Sequence, residues 1–272
     1  MRTKKLVSLF LASAMLISLA ACTDGSGTGS SAPDPEPDIE IDTELEIDGA
    51  EENEPTEPEE EEEEYPEPEN NTILYQGHAS VRIISNAGVV IYVDPSEGKG
   101  YDAPADIILV THEHADHNQI DLVTQNDDCT VIKAADSLVE GEYKSFSVKG
   151  VDIQAVQAHG ANGHHPESSG VGYIITVDGV KIYIAGDTIQ TEQMDTFAAL
   201  ELDYAFLPTD GHHGTLYVDE ASECAELIGA KHTIPYHTKL GVLFDEDVAG
   251  EFSADSKLVL IPGEPIALDS GE

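Results

Sequence analysis

Thr111-His112-Glu113-His114-Ala115-Asp116-His117 decides how this chain is read. The stretch comes directly after the apolar run Ile107-Ile108-Leu109-Val110, so its polar residues sit at the C-terminal end of a predicted strand, where α/β sheets place their ligand sites. Three histidines and an aspartate within six residues offer imidazole nitrogens and a hard oxygen, the mixture that zinc and its first-row neighbours accept. The competing reading, a polar loop of surface histidines, loses weight against three further residues downstream.

Outward from this cluster, those three residues of metal-ligand type stand where later apolar runs end. His159 closes Val156-Gln157-Ala158, Asp187 follows Ile184-Ala185-Gly186, and His237 follows Ile234-Pro235-Tyr236. Each is a weak signal alone, since a lone histidine at a strand end is more often a hydrogen-bonded core residue. As an ordered set behind the first cluster they are strong.

The surrounding pattern is that of a layered α/β domain. Short β-branched runs at residues 72–76, 80–85, 89–93, 107–111 and 151–158 predict strands, and others come at 171–177, 181–185, 204–207, 232–235 and 257–261. Asp178-Gly179 predicts a tight hairpin. Helical windows cover residues 119–125, 191–200, 219–228 and 245–253. No internal repeat of fixed period is visible.

The order His112-x-His114-x-Asp116-His117, then His159, Asp187 and His237, resembles that of the metallo-β-lactamase-fold hydrolases. The opening of the domain, ILYQGHASVRIISNAGVVIYVDP at residues 73–95, looks like their lactonase-like and uncharacterised metal-dependent branch. The resemblance covers residues 73–272 and implies a four-layer αββα sandwich with a two-metal site at one edge. It implies that His112, His114 and His159 hold one metal, that Asp116, His117 and His237 hold a second, and that Asp187 bridges them. Zinc is the expected metal, with manganese or iron also suited to the second set. Two such cations, about 3.5–4 Å apart, activate a shared water for attack on an ester, lactone, amide or phosphodiester bond. Asp116 would orient that water while ligating, and His212 and His213 are candidate donors of the leaving-group proton. Further candidates are His78, facing the site or supporting it, and Asp94, as acceptor for a ligand imidazole. His164 and His165 are expected to be solvent-exposed loop histidines. A true β-lactamase is disfavoured by the Asp116-His117 pair and by the lack of an evident cysteine ligand.

The chain's ends and its charge place this domain in context. Of 272 residues, 12 are Lys or Arg and 54 are Asp or Glu, a formal net charge of −42. Residues 1–21 begin with Arg2, Lys4 and Lys5 and continue apolar to Leu19-Ala20-Ala21-Cys22. That is a secretory signal, and its end resembles the lipobox of bacterial lipoproteins, which implies a lipidated Cys22 and a membrane-anchored, extracytoplasmic protein. Residues 22–72 form the expected acidic tether: positions 23–72 carry 21 Asp and Glu, no Lys or Arg, and the unbroken run Glu59 to Glu64. The remaining 200 residues, enough for one domain, keep 33 acidic and nine basic side chains, a balance of −24. Nucleic acid is therefore disfavoured as a partner, and a small-molecule substrate is expected. A phosphodiesterase acting on phospholipid or nucleic acid, and a non-catalytic metal-binding lipoprotein, are the competing functions. Cys129 and Cys224 lack metal spacing and are compatible with one disulfide or with two isolated thiols.

Overall fold

The computed structural model describes residues 68–269, all within the compact unit Glu61–Glu272. The signal segment, Cys22 and most of the acidic tether lie outside the described residues.

The first strands run β1 (Thr72–Gly77), β2 (Ser80–Ile84), β3 (Val90–Val93), β4 (Ala105–Val110) and β5 (Gln125–Lys133). Helix α1 (Ala134–Ser137) leads into the small hairpin β6 (Leu138–Val139) and β7 (Glu142–Tyr143). Then come β8 (Ser145–Val148), β9 (Val151–Gln157), β10 (Val171–Val177), β11 (Val180–Ile184) and β12 (Tyr204–Pro208). Helix α2 (Val218–Ile228), β13 (His232–Tyr236), helix α3 (Glu246–Glu251) and β14 (Pro265–Ala267) complete the chain. Two six-stranded sheets result, ordered β14-β1-β2-β3-β4-β5 and β13-β12-β11-β10-β9-β8.

Side-chain parity along the strands makes the layers. In β4, Ile107 and Leu109 point between the sheets, where they join Ile83, Ile91, Ile175, Ile182, Phe206 and Ile234. Ile108 and Val110 point the other way and pack with Tyr92, Ala103 and Val123. On the far side of the second sheet, Tyr183, Ala205 and Leu207 lie beneath Ala221, Cys224, Ala225 and Ile228 of α2. Each fully buried aliphatic contributes roughly 1.5–3 kcal/mol, so the near-continuous apolar runs reflect strands covered on both faces. This is the layered α/β arrangement, with two sheets face to face, that the sequence leads one to expect. The outer cover of the first sheet is thin, made largely of the 95–104 loop and a 3-10 turn rather than a long helix.

Two expectations fail for physical reasons. Residues 119–125 form no helix beyond the 3-10 turn Ile120–Leu122, because Gln125 already begins β5. That edge strand is exposed over its first four residues, so pairing with β4 overrides a sequence lacking apolar alternation. Residues 257–261 form only a bridge, Lys257 to Thr233. Thr233 donates to Ser256 O and accepts from Leu258 N, but the next inward-pairing residue of β13 is Pro235, which has no N–H to continue the ladder. Asp178 and Gly179, with φ of 51° and 86°, make the predicted β10–β11 hairpin. Cys129 and Cys224 are both free thiols.

Backbone hydrogen bonds join the two sheets at one edge. Val171 N donates to Thr111 O at 2.9 Å, and His237 N donates to His78 O at 2.7 Å.

Candidate metal centre

The donors gather at this joined edge in two groups. His112, His114, His165 and Asp187 form one, and His78, Asp116, His117 and His237 the other, with the ligand atoms of each group within 4.8 Å of one another. Asp187 lies between them. Its Oδ2 is 3.4 Å from His165 Nε2 and 3.9 Å from His112 Nε2, while its Oδ1 is 3.3 Å from His117 Nε2 and 3.6 Å from His237 Nε2.

Local chain geometry sets each donor. β4 ends in the 112–117 turn, closed by His117 N donating to His114 O at 3.0 Å. Asp187 follows β11 through Gly186, whose φ is 67° and whose Cβ, if present, would stand 3.0 Å from that of Thr111. Only glycine combines that left-handed backbone with so close an approach. The Gly186 N–H donates to Tyr236 Oη at 2.8 Å. His78, Asp94 and His237 have φ of 52°, 47° and 45°, a conformation that non-glycine residues rarely hold and that clusters at functional sites.

Carboxylates orient the imidazoles from behind. His117 Nδ1 donates to Asp94 Oδ2 at 2.9 Å, and Asp94 is itself held by the N–H and hydroxyl of Thr111, both at 2.7 Å. His237 Nδ1 lies 3.0 Å from Asp210 Oδ2. Both rings turn Nε2 toward Asp187, and the Asp94–His117 pair has the geometry of a carboxylate–histidine–metal unit. His112 Nδ1 contacts Thr111 Oγ1 at 3.1 Å, and its Nε2 is 3.0 Å from His114 Nδ1.

This arrangement fits divalent metal. His117 Nε2, His165 Nε2, His237 Nε2 and Asp187 Oδ1 are buried without a hydrogen-bond partner, although such atoms normally have one. Converging lone pairs from nitrogen and carboxylate oxygen are what a cation of the zinc series satisfies. The electrostatics show the same need. Burial, with His117 and His114 adding repulsion against Asp187, pushes His112 down to about 2, and burial similarly lowers His165 to about 4. Burial opposes charge on His117 too, but Asp187 and Asp94 outweigh it and hold that imidazole up at about 10. The His237 imidazole beside it and the hydrogen bond to His78 keep Asp116 well below the usual carboxylate range. Metal-free, the site is a crowded set of carboxylates with protons as their counter-ions.

Of the donors expected from sequence, the structure brings together His112, His114, Asp116, His117, Asp187 and His237. It does not bring in the His159 ring, whose Nε2 is 3.8 Å from Glu167. His159 meets the Asp187 loop through its backbone, which donates to Thr188 Oγ1 and accepts from Ile189 N. The fourth member of the first group is His165, which is 4% exposed, contrary to its expected place in solvent. Gly160 N donates to His165 O at 2.7 Å, folding the 158–170 loop back so that His165 faces Asp187. His78 joins the second group, its Nε2 3.1 Å from Asp116 Oδ2. His212 and His213 are exposed. His213 stacks on His164 at 4.2 Å, and His164 lies 4.8 Å from the His114 ring, so both stand on the rim. Asp210 is missed by the sequence reading, although it too stands just past an apolar run, Tyr204 to Leu207.

The chain is similar to known proteins over the described domain. Residues 72–237 match the family described as the Beta-lactamase superfamily domain. A UPF0173 metal-dependent hydrolase of Pyrococcus furiosus is 29% identical over 225 residues, covering 72% of this chain and 99% of the relative. One from Thermococcus onnurineus is 30% identical over 224 residues with the same coverage. A solved Parabacteroides distasonis structure superposes with a TM-score of 0.56 at 28% identity, covering 69% of this chain and 90% of the other.

Proposed function

We infer the reaction from one premise: this chain belongs to the beta-lactamase superfamily and is a metal-dependent hydrolase of the metallo-β-lactamase fold. Its centre holds two divalent ions, zinc foremost, and uses them to hydrolyse an ester, lactone, amide or phosphodiester bond. The observation that carries this reading is Asp187, with one carboxylate oxygen toward the His112–His165 side and the other toward His117 and His237. A carboxylate can span two cations; one imidazole nitrogen cannot.

When bound, the ions supply Lewis acidity and lower the pKa of a water. The chain supplies the rest. His112, His114 and His165 would hold one ion, and Asp116, His117 and His237 the other. Asp94 and Asp210 fix the His117 and His237 rings. Asp116, braced by His78, turns toward an adjoining cavity, where it orients the attacking water. His212 and His213 stand on the rim as candidate donors of the proton that the leaving group takes up.

Residues 1–72 are read as an export signal, a lipidated Cys22 and an acidic tether that hold this catalytic domain outside the cytoplasmic membrane. The signal's composition and the 50-residue acidic stretch support this. The family match covers residues 72–237, so residues 1–71 precede the matched domain.

Elemental analysis of purified protein should find two metal equivalents, and a panel of esters, lactones and phosphodiesters should show turnover that chelator abolishes. Two bound equivalents with no chelator-sensitive turnover on any class would favour the metal-binding alternative. A single equivalent would refute the bridging role of Asp187. For the anchor, Cys22→Ser should move the protein from the membrane to the soluble fraction, and unchanged membrane retention would refute lipidation.

A further inference from the structure

We propose that the cavity beside Asp116 receives an uncharged aliphatic arm of the substrate, which makes neutral acyl compounds, rather than phosphodiesters, the substrate class of this site. The proposal rests on the two-metal hydrolase reading above.

The cavity, about 320 Å³, borders the second donor group directly and is lined by His78 and Asp116 together with Leu240, Gly241 and Val242. Leu240 is 43% and Val242 38% exposed, two of the six large apolar side chains that stand in solvent among the described residues. Singly exposed aliphatics are ordinary; two on one short loop facing a donor group are not scattered.

The loop that carries them is fixed. Leu243 O accepts from His78 N at 2.6 Å and from Tyr75 Oη at 3.2 Å. Phe244 packs edge-on against Tyr75, with ring centroids 6.1 Å apart, and Asp245 N donates to Thr238 Oγ1 at 2.7 Å. The backbone that carries Leu240 and Val242 is thus anchored beside the cavity they line. An aliphatic ligand group laid against them removes apolar surface on both sides at little cost in ordering.

Charge narrows the ligand further. Among the residues lining the cavity none is Lys or Arg, and Glu97 is acidic. Lys239, the nearest cation on the loop, is taken up by Asp245 at 2.9 Å. An anionic arm would meet a carboxylate with no compensating cation, whereas a neutral chain meets aliphatic carbon.

The test uses binding, not turnover. Straight-chain hydroxamic acids from aceto- to hexanohydroxamate chelate metal through a common head and differ only in the tail, so calorimetry on the metal-loaded protein reads the cavity alone. Affinity is expected to rise about three- to fourfold per added methylene. A tail of equal length ending in a carboxylate should lose that gain, and Glu97→Gln should return part of it. The double variant Leu240→Asn with Val242→Thr should flatten the chain-length slope, each variant being referenced to its own acetohydroxamate value. Equal affinity for all tails, or a carboxylate tail bound as tightly as the neutral one, would overturn the proposal. Binding of none, acetohydroxamate included, would overturn the metal reading and the proposal with it.

Discussion

His165→Ala is the sharpest perturbation of this centre, because the geometry there departs furthest from what strand-end reasoning gives. His165 Nε2 is buried, has no hydrogen-bond partner and points at Asp187 Oδ2 from 3.4 Å. It is one of four donors in its group. Four-ligand zinc sites bind with roughly 10–16 kcal/mol, so an equal share per donor is about 2.5–4 kcal/mol. Losing one should therefore weaken that metal about 10²- to 10³-fold. His159→Ala removes a ring whose carboxylate neighbour, Glu167, lies 3.8 Å away on the surface, and should leave metal affinity within a few-fold. Chelator-competition titrations of the metal-free variants with zinc, alongside elemental analysis and circular dichroism to confirm folding, measure both. A hundredfold loss in His159→Ala with His165→Ala holding wild-type affinity would refute the assignment and restore the strand-end residue as ligand.

Asp94→Asn keeps an acceptor for Thr111 N and tolerates the positive φ, but removes the charge behind His117; affinity for the second metal should fall about 10- to 100-fold, read by the same titration. Tyr236→Phe strands the buried Gly186 N–H and should cost about 1–3 kcal/mol in urea unfolding; an unchanged midpoint would show that this contact does not matter. The metal-free protein should also lose stability with rising pH. His117 is held at about 10, above its usual 6.5, so its contribution is complete below about pH 6.5 and disappears as pH climbs toward 10. Thermal melts of metal-free protein at pH 7 and 9.5 check this. Because that proton must leave before the nitrogen can ligate, zinc loading at pH 7 should release protons, seen as a dependence of calorimetric enthalpy on the buffer used.

How much of this was legible in sequence depends on where each residue's determinants lie. β1 to β4 and β9 to β13 are legible because β-branched runs such as Val90 to Val93 and Val171 to Val177 are buried and read as strands. β5, β8 and β14 are not, since these edge strands, unlike the buried edge strand β13, are largely exposed and carry no strong apolar pattern; Gln125 to Asp128 are exposed. In the centre, His112, His114, Asp116 and His117 announce themselves by adjacency, and Asp187 and His237 by position just past a strand. His165 has neither signal. Its place depends on a loop closing through Gly160 N and His165 O, and only the buried ring beside the exposed His164 reveals which of the two adjacent histidines matters. Asp210 too stands just past a strand, but its role depends on its partner His237, 27 positions later in sequence.

The centre's position comes from a likeness between the sheets that the sequence does not repeat at any fixed period. In the first sheet β2 pairs antiparallel with β3, then β3 with β4 and β4 with β5 in parallel; in the second, β10, β11, β12 and β13 do the same. Parallel strands present their carboxyl ends along one edge, and from that edge come Asp94 after β3, the 112–117 cluster after β4, Asp187 after β11, Asp210 after β12 and His237 after β13. Packed face to face, the sheets bring these edges together, and His237 N to His78 O and Val171 N to Thr111 O clamp them there. The donors are therefore positioned by rigid elements and by backbone hydrogen bonds between sheets, which is the condition for precise ligation. The loops beyond them, such as the anchored one carrying Leu240 and Val242, supply the walls that a substrate meets.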